Sequence, residues 1–257
     1  MPGLPLPAAA SGPLPDLLDA LLDETPQVRD RARQQALTDR FLVPALPALE
    51  ALFLALRAGL DPALRRAHPD RPDKPYPKGL CLEITRAAQA RLETLRPDDL
   101  AEPAATGLRA LRAFQAAGGQ VRRAWGDLRG QFFQNALIVG ALYVDVANDT
   151  VVLTKPPVEI LPFAAADFRP IRDYAHFADI AGRYWGVRCV PNHLAPRLAP
   201  HLPLILLGPG GEVSVGPVLR HMLGLALAGR FAPSARALAA PPMPPALFAA
   251  LRMGLGP

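Results

Sequence analysis

Asp145, Asn148 and Asp149 stand within five residues of one another. Carboxylate and amide oxygens are the ligands that hard divalent cations take, so Asp145 and Asp149 are candidates to hold Mg²⁺ or Mn²⁺. Four cations lie nearest in sequence: Arg122, Arg123, Arg129 and Lys155. Guanidinium forks grip phosphate or carboxylate with two parallel hydrogen bonds, which makes this group a candidate site for an anionic small molecule. His193 joins them because it follows residues 187–190, an apolar run of strand character. The C-terminal end of a strand in an α/β sheet is where ligand-binding residues gather. Each residue also has a plainer use. Asn and Asp dominate turns for backbone reasons, and charged side chains mostly face solvent.

Other nucleophiles and ligands form no pattern. Cys81 opens an expected helix, where the dipole would favour a thiolate, yet no His or Asp partner is identifiable; a small buried hydrophobe is the alternative. Cys81 and Cys189 make neither a metal motif nor a disulfide framework. His176, His193 and His201 fit no compact zinc spacing. Ser11, Ser214 and Ser234 are the only serines, and none sits in a nucleophile-elbow setting. The glycines at 208, 210 and 211 lack the lysine and following helix of a phosphate-binding loop, and read as a turn.

One run carries a family likeness. Leu128-Arg129, Asn135-Ala136-Leu137 and Gly140-Ala141-Leu142-Tyr143-Val144-Asp145 resemble the segment that leads into the Asp-x-Asp motif of GT-A glycosyltransferases. The resemblance implies a metal–diphosphate of a sugar nucleotide held by the motif's carboxylates, with Asp145 as the first. The second falls on Ala147, which has no side-chain oxygen, and the N-terminal half lacks the early strand that usually begins such a fold.

The elements that must position these residues follow from periodicity. Leu128, Phe132, Ala136 and Val139 recur at helical spacing, which predicts a helix over residues 127–139 with Asp127 as cap and Gly140 past its end. The period then becomes two over residues 142–146, a strand. Asn148-Asp149 suits a two-residue turn, with residues 150–154 returning. That hairpin would set Val144 opposite Leu153 and Val146 opposite Val151, with Asp145 on the other face.

Before this stretch the chain reads as all-helical. A Pro/Ala-rich lead, expected to be disordered, covers residues 1–13, a helical region residues 14–118 and an α/β core region residues 119–231. A Pro/Ala-rich tail over residues 232–257, with one candidate helix at residues 245–253, is expected to add little to the core. Residues 158–161, hemmed by prolines, read as an edge strand. Residues 174–185 make a clear amphipathic helix closed by Gly186, and strands are expected at 187–190, 204–207 and 212–215. The fold class is therefore α+β: a helical N-terminal half, then a small mixed β-sheet with a central hairpin, covered by helices.

At 257 residues and 50% hydrophobic composition the chain can bury a sizeable core. Only Lys74, Lys78 and Lys155 among 28 basic residues are lysine, a bias resembling GC-rich bacterial coding. The net charge is −2 over residues 1–102 and +7 over residues 103–257. With no dense basic run and no stacking platform, nucleic acid is not an expected partner. Neither a signal peptide nor a membrane span is expected, which points to the cytoplasm. Two readings follow. The first is a soluble cytoplasmic protein-binding or accessory module. The alternative is a divalent-metal-dependent, glycosyltransferase-like transferase acting on a phosphorylated or anionic substrate, with Asp145 on the metal and Arg123 or Lys155 on the anion.

Overall fold

The computed structural model describes residues 14–72 and 74–254, so the lead over residues 1–13 lies outside the described residues. The fold is α+β with a helical N-terminal half. Two compact units divide it: residues 25–170 form one, and residues 14–24 with 171–254 are the described part of the other.

In the first unit α2 (Arg31–Leu37) runs through a π turn at Thr38–Leu42 and a 3-10 turn at Val43–Ala45 into α3 (Leu46–Ala67). Helices α4 (Cys81–Thr94) and α5 (Ala104–Ala116) follow; α1 (Leu14–Leu22) belongs to the second unit. The apolar stripe of α3, with Leu49, Leu52, Phe53 and Leu56, packs with Ile84, Leu92, Leu108 and Phe114 against Leu137, Val139 and Val144 of the sheet. Each such side chain contributes about 1.5–3 kcal/mol by leaving water. The helical run Arg31–Ala67 is the one stretch among the described residues long and apolar enough to cross a membrane, and its buried face is that of a core helix.

Five strands make the sheet: β1 (Val121–Leu128), β2 (Phe132–Val139), β3 (Leu142–Asp145), β4 (Glu159–Pro162) and β5 (Phe168–Arg169). Their order is β4-β3-β2-β1-β5, antiparallel at every pairing. As expected, β4 is an edge. The helix expected over residues 127–139 is replaced by the end of β1, a turn and all of β2. The reason is burial on both faces. Leu137 and Val139 face the helices, while Ala136 and Ile138 meet Tyr143, Leu128 and Phe168 on the other side. A strand covered twice has no polar face, and its apolar run cannot be told from a helix by period. The break lies at Arg129-Gly130, both at positive φ (60° and 67°), a conformation unusual for arginine.

The hairpin register is corrected as well. Strand β3 returns from β2 through Gly140, at φ 60°, and Val144 lies between Leu137 and Ile160, not opposite Leu153. Residues 148–150 form a 3-10 turn, and residues 151–158 lie in no strand.

The second unit carries α6 (Tyr174–Trp185), closed by Gly186 as its sequence predicts and capped at its start by Asp173. Strands β6 (Arg188–Pro191), β7 (Leu204–Leu207) and β8 (Val213–Gly216) form an antiparallel sheet in chain order. Helices α7 (Arg220–Ala228), α8 (Ala232–Leu238) and α9 (Pro245–Gly254) complete it. The Pro/Ala-rich stretch after residue 231 thus contributes to a core. Leu247, Phe248 and Leu251 of α9 pack against Val190, Ile205 and Met243. Only one face of a short helix had to be apolar for that, which composition averaged over the tail conceals.

Candidate functional site

Asp145 ends β3 fully buried. Its Oδ2 accepts from Gln134 Nε2 at 2.6 Å and from Tyr143 Oη at 2.9 Å, and its Oδ1 accepts from the Ala147 amide at 2.8 Å. Burial pushes its carboxyl up to about 6, against the pull of those donors. Burial and then the Asp145 charge hold the Tyr143 phenol well above its usual range. Gln134, itself buried, has no partner for its amide oxygen among the described residues. The groups that meet Asp145 do so as N–H and O–H donors, which stabilise a carboxylate and occupy both of its oxygens.

Asp149 is four residues away and does something else. Arg57 of α3, 2% exposed, reaches it with Nη1 to Oδ1 at 2.8 Å and Nη2 to Oδ2 at 3.0 Å. The same guanidinium donates to the Val146 carbonyl (2.9 Å) and through Nε to Asp61 (2.6 Å). Tyr76 donates to Asp61 in turn, at 2.7 Å, and burial together with that hydrogen bond pushes its phenol up to about 12. A buried guanidinium with its hydrogen bonds met by two carboxylates and a carbonyl is a satisfied network rather than an open site.

What this network fixes is a loop. Asn148 donates its backbone N–H to Pro157 O (3.2 Å) and its side-chain Nδ2 to Pro156 O (2.9 Å), closing residues 148–157 at the base. Thr150 Oγ1 donates to Ala147 O at 2.7 Å. The Lys155 amide donates to Val152 O at 3.0 Å, so residues 152–155 turn sharply at the tip. There Val152 is 40% and Leu153 45% exposed. The result is a compact loop with joined ends, of the kind that often carries function.

The other sequence candidates disperse. Arg122 donates to Gln27 O at 2.6 Å, Arg123 to Gln89 Oε1 at 3.4 Å, and Arg129 to Glu159 Oε2 at 2.6 Å. Lys155 stands on the loop, and His193, exposed in the second unit, donates through Nε2 to Leu238 O at 3.1 Å. His221 is buried with Nε2 2.8 Å from Ile171 O, and burial lowers its pKa. Cys81 opens α4 as expected, but it packs against the core and burial pushes its thiol up. Among the described residues no three His, Cys, Asp or Glu side chains are grouped as metal ligands.

Sequence reasoning missed Arg57 and Gln134. Arg57 did leave a trace: it falls four residues after Phe53 and eight after Leu49, on the buried stripe of α3, where a charge needs a partner. Gln134 left none, because the strand carrying it was read as helix. Comparison with protein-family models, with curated proteins and with solved structures finds no match for this chain.

Proposed function

We propose that this chain is a soluble, cytoplasmic protein-binding or accessory module, and that residues 148–157 are its contact loop. One observation carries the reading: a ten-residue loop whose closed base is pinned at Asp149 by the buried Arg57 of α3 has an exposed apolar tip. Pinning a loop lowers the entropy lost when it binds, and two aliphatic side chains held in water have their natural use against another surface. The metal-dependent transferase draws less support. Asp145 is surrounded by donors, Asp149 is engaged by Arg57, and the arginines point to separate places.

The reading is tested by placing a photo-crosslinking amino acid at position 153 in cells of the source organism. A discrete adduct at 153, absent at the exposed control position 213 and lost when Val152→Ser is added, is the expected result. No discrete adduct from either 152 or 153 would remove the loop as a contact.

A further inference from the structure

The chain's three lysines, Lys74, Lys78 and Lys155, stand on two loops that the fold joins. The Gly79 amide donates to Thr150 O at 2.8 Å, fastening the segment before α4 to loop 148–157. Lys74 folds over that junction, its Nζ 3.2 Å from where a β-carbon on Gly79 would lie. Lys78 is exposed beside it, and Lys155 closes the turn that displays Val152 and Leu153. None of these ammonium groups makes an ion pair among the described residues. Asp149 and Asp61 are engaged by Arg57, and Asp70 by Arg65. Three ammonium groups without an ion pair among the described residues thus stand on the two joined segments, one of which displays the exposed aliphatic tip.

We infer that the joined loops dock an acidic, apolar-bearing polypeptide segment of a partner protein. An aliphatic or aromatic side chain of that segment covers Val152 and Leu153, and its Asp or Glu side chains reach Lys74, Lys78 and Lys155. This rests on the protein-binding reading above and adds the partner's chemistry. Charge of one sign selects the opposite sign in a partner, and charges at the rim steer encounter and suppress like-charged competitors. Lysine suits a mobile acidic segment, since its ammonium is a point charge on a flexible stem rather than a fixed fork. A lipid surface fits less well. Interfacial anchors bury a broad apolar face with Trp, Phe or Leu at depth, whereas this tip offers two aliphatic side chains on a rigid base.

The test uses the full chain as bait for a phage-displayed random-peptide library, with phosphatidylglycerol/phosphatidylcholine vesicles as a parallel arm. Enriched peptides should combine Asp or Glu with Leu, Val or Phe. Their affinity should fall on the order of tenfold or more in Lys74→Glu/Lys78→Glu/Lys155→Glu, with a weaker salt dependence. Val152→Ser/Leu153→Ser should abolish binding, and both variants should keep the wild-type urea midpoint. Neutral peptides that need Val152 and Leu153 but ignore the lysines would overturn the acidic partner while leaving the contact loop standing. Enrichment indifferent to both variants, or none at all, would overturn the docking site together with the contact loop. Vesicle binding that needs the same residues, without peptide enrichment, would assign the surface to lipid and overturn it too.

Discussion

Arg57 and Asp149, 92 positions apart, meet through two parallel hydrogen bonds of 2.8 and 3.0 Å, and this pair ties the long core helix to the base of the exposed loop. Neither residue has any apparent kinship with the other in sequence. Their juxtaposition exists because α3 and the end of β3 bury the same apolar cluster, which brings Leu56 and Val146 into one core.

Removing one partner of a buried pair leaves the other charge inside without compensation, so Asp149→Ala should cost about 3 kcal/mol. The low end of that range applies because Asp61 still holds Arg57 Nε. Urea unfolding gives the cost directly, and thermolysin cleavage near Leu153 should accelerate in the variant as the loop base loosens. A midpoint unchanged and a cleavage rate unchanged would mean that the pair does not hold the loop.

Asp145 should impose a pH dependence of its own. Its carboxyl is raised to about 6 in the fold, against roughly 3.9 in an unfolded chain. The folded state therefore binds the proton more tightly. The stability tied to that proton is fully present below the unfolded value and is lost as pH rises from about 4 through 6, in total roughly 3 kcal/mol. Asp145→Asn removes this component, although its amide then meets at least one of the three donors unfavourably. The difference in unfolding free energy, wild type minus variant, should fall between pH 4 and pH 6 and be level above pH 7. A difference flat from pH 4 to pH 8 would show that Asp145 carries no such perturbed proton.

The sequence made some of this architecture readable and hid the rest for identifiable reasons. Residues 174–185 have one polar and one apolar face with Gly186 just past the end, so α6 is plain in the sequence. Strands β6, β7 and β8 are short and bounded by Gly and Pro, and they too were plain. Strand β2 was not, because apolar residues on both its faces erase the alternation, and Arg129 is not a residue that announces a left-handed turn. The candidate carboxylates stand out by residue type and spacing, yet their long-range partners lie on other elements. Gln134 comes from the neighbouring strand and Arg57 from a helix far back in the chain. Long-range polar pairing leaves no local period, and the two aspartates consequently looked like one site when the fold gives them two.

The C-terminal helix offers a third check. Phe248 is half-buried among Leu247, Leu251, Val190, Ile205 and Met243. Phe248→Ala should cost about 2 kcal/mol, below the range for a fully buried ring. Truncation after residue 240 should go further and expose the β6–β8 sheet, seen as faster amide exchange at Ile205 and Leu206, which lie in its central strand. Unaltered protection there would mean that α9 is dispensable to the sheet it covers.

The fourth prediction separates the two functional readings. A Mg²⁺ or Mn²⁺ site needs several oxygen acceptors converging on one point, with near-octahedral room around it. Asp145 is met by Gln134 Nε2, Tyr143 Oη and the Ala147 amide, all donors. To ligate a cation it would have to shed those bonds, and the cation would have to displace the packing of a residue with no solvent exposure. Asp149 would have to leave Arg57, at the cost of a buried guanidinium left short of acceptors. Calorimetric titration of the wild type with Mn²⁺ is therefore expected to give no binding heat, and Asp145→Asn is expected to be less stable with the same null titration. Heat in the wild type that disappears in Asp145→Asn would show that Asp145 can be released to a metal, and would move the transferase ahead of the binding module.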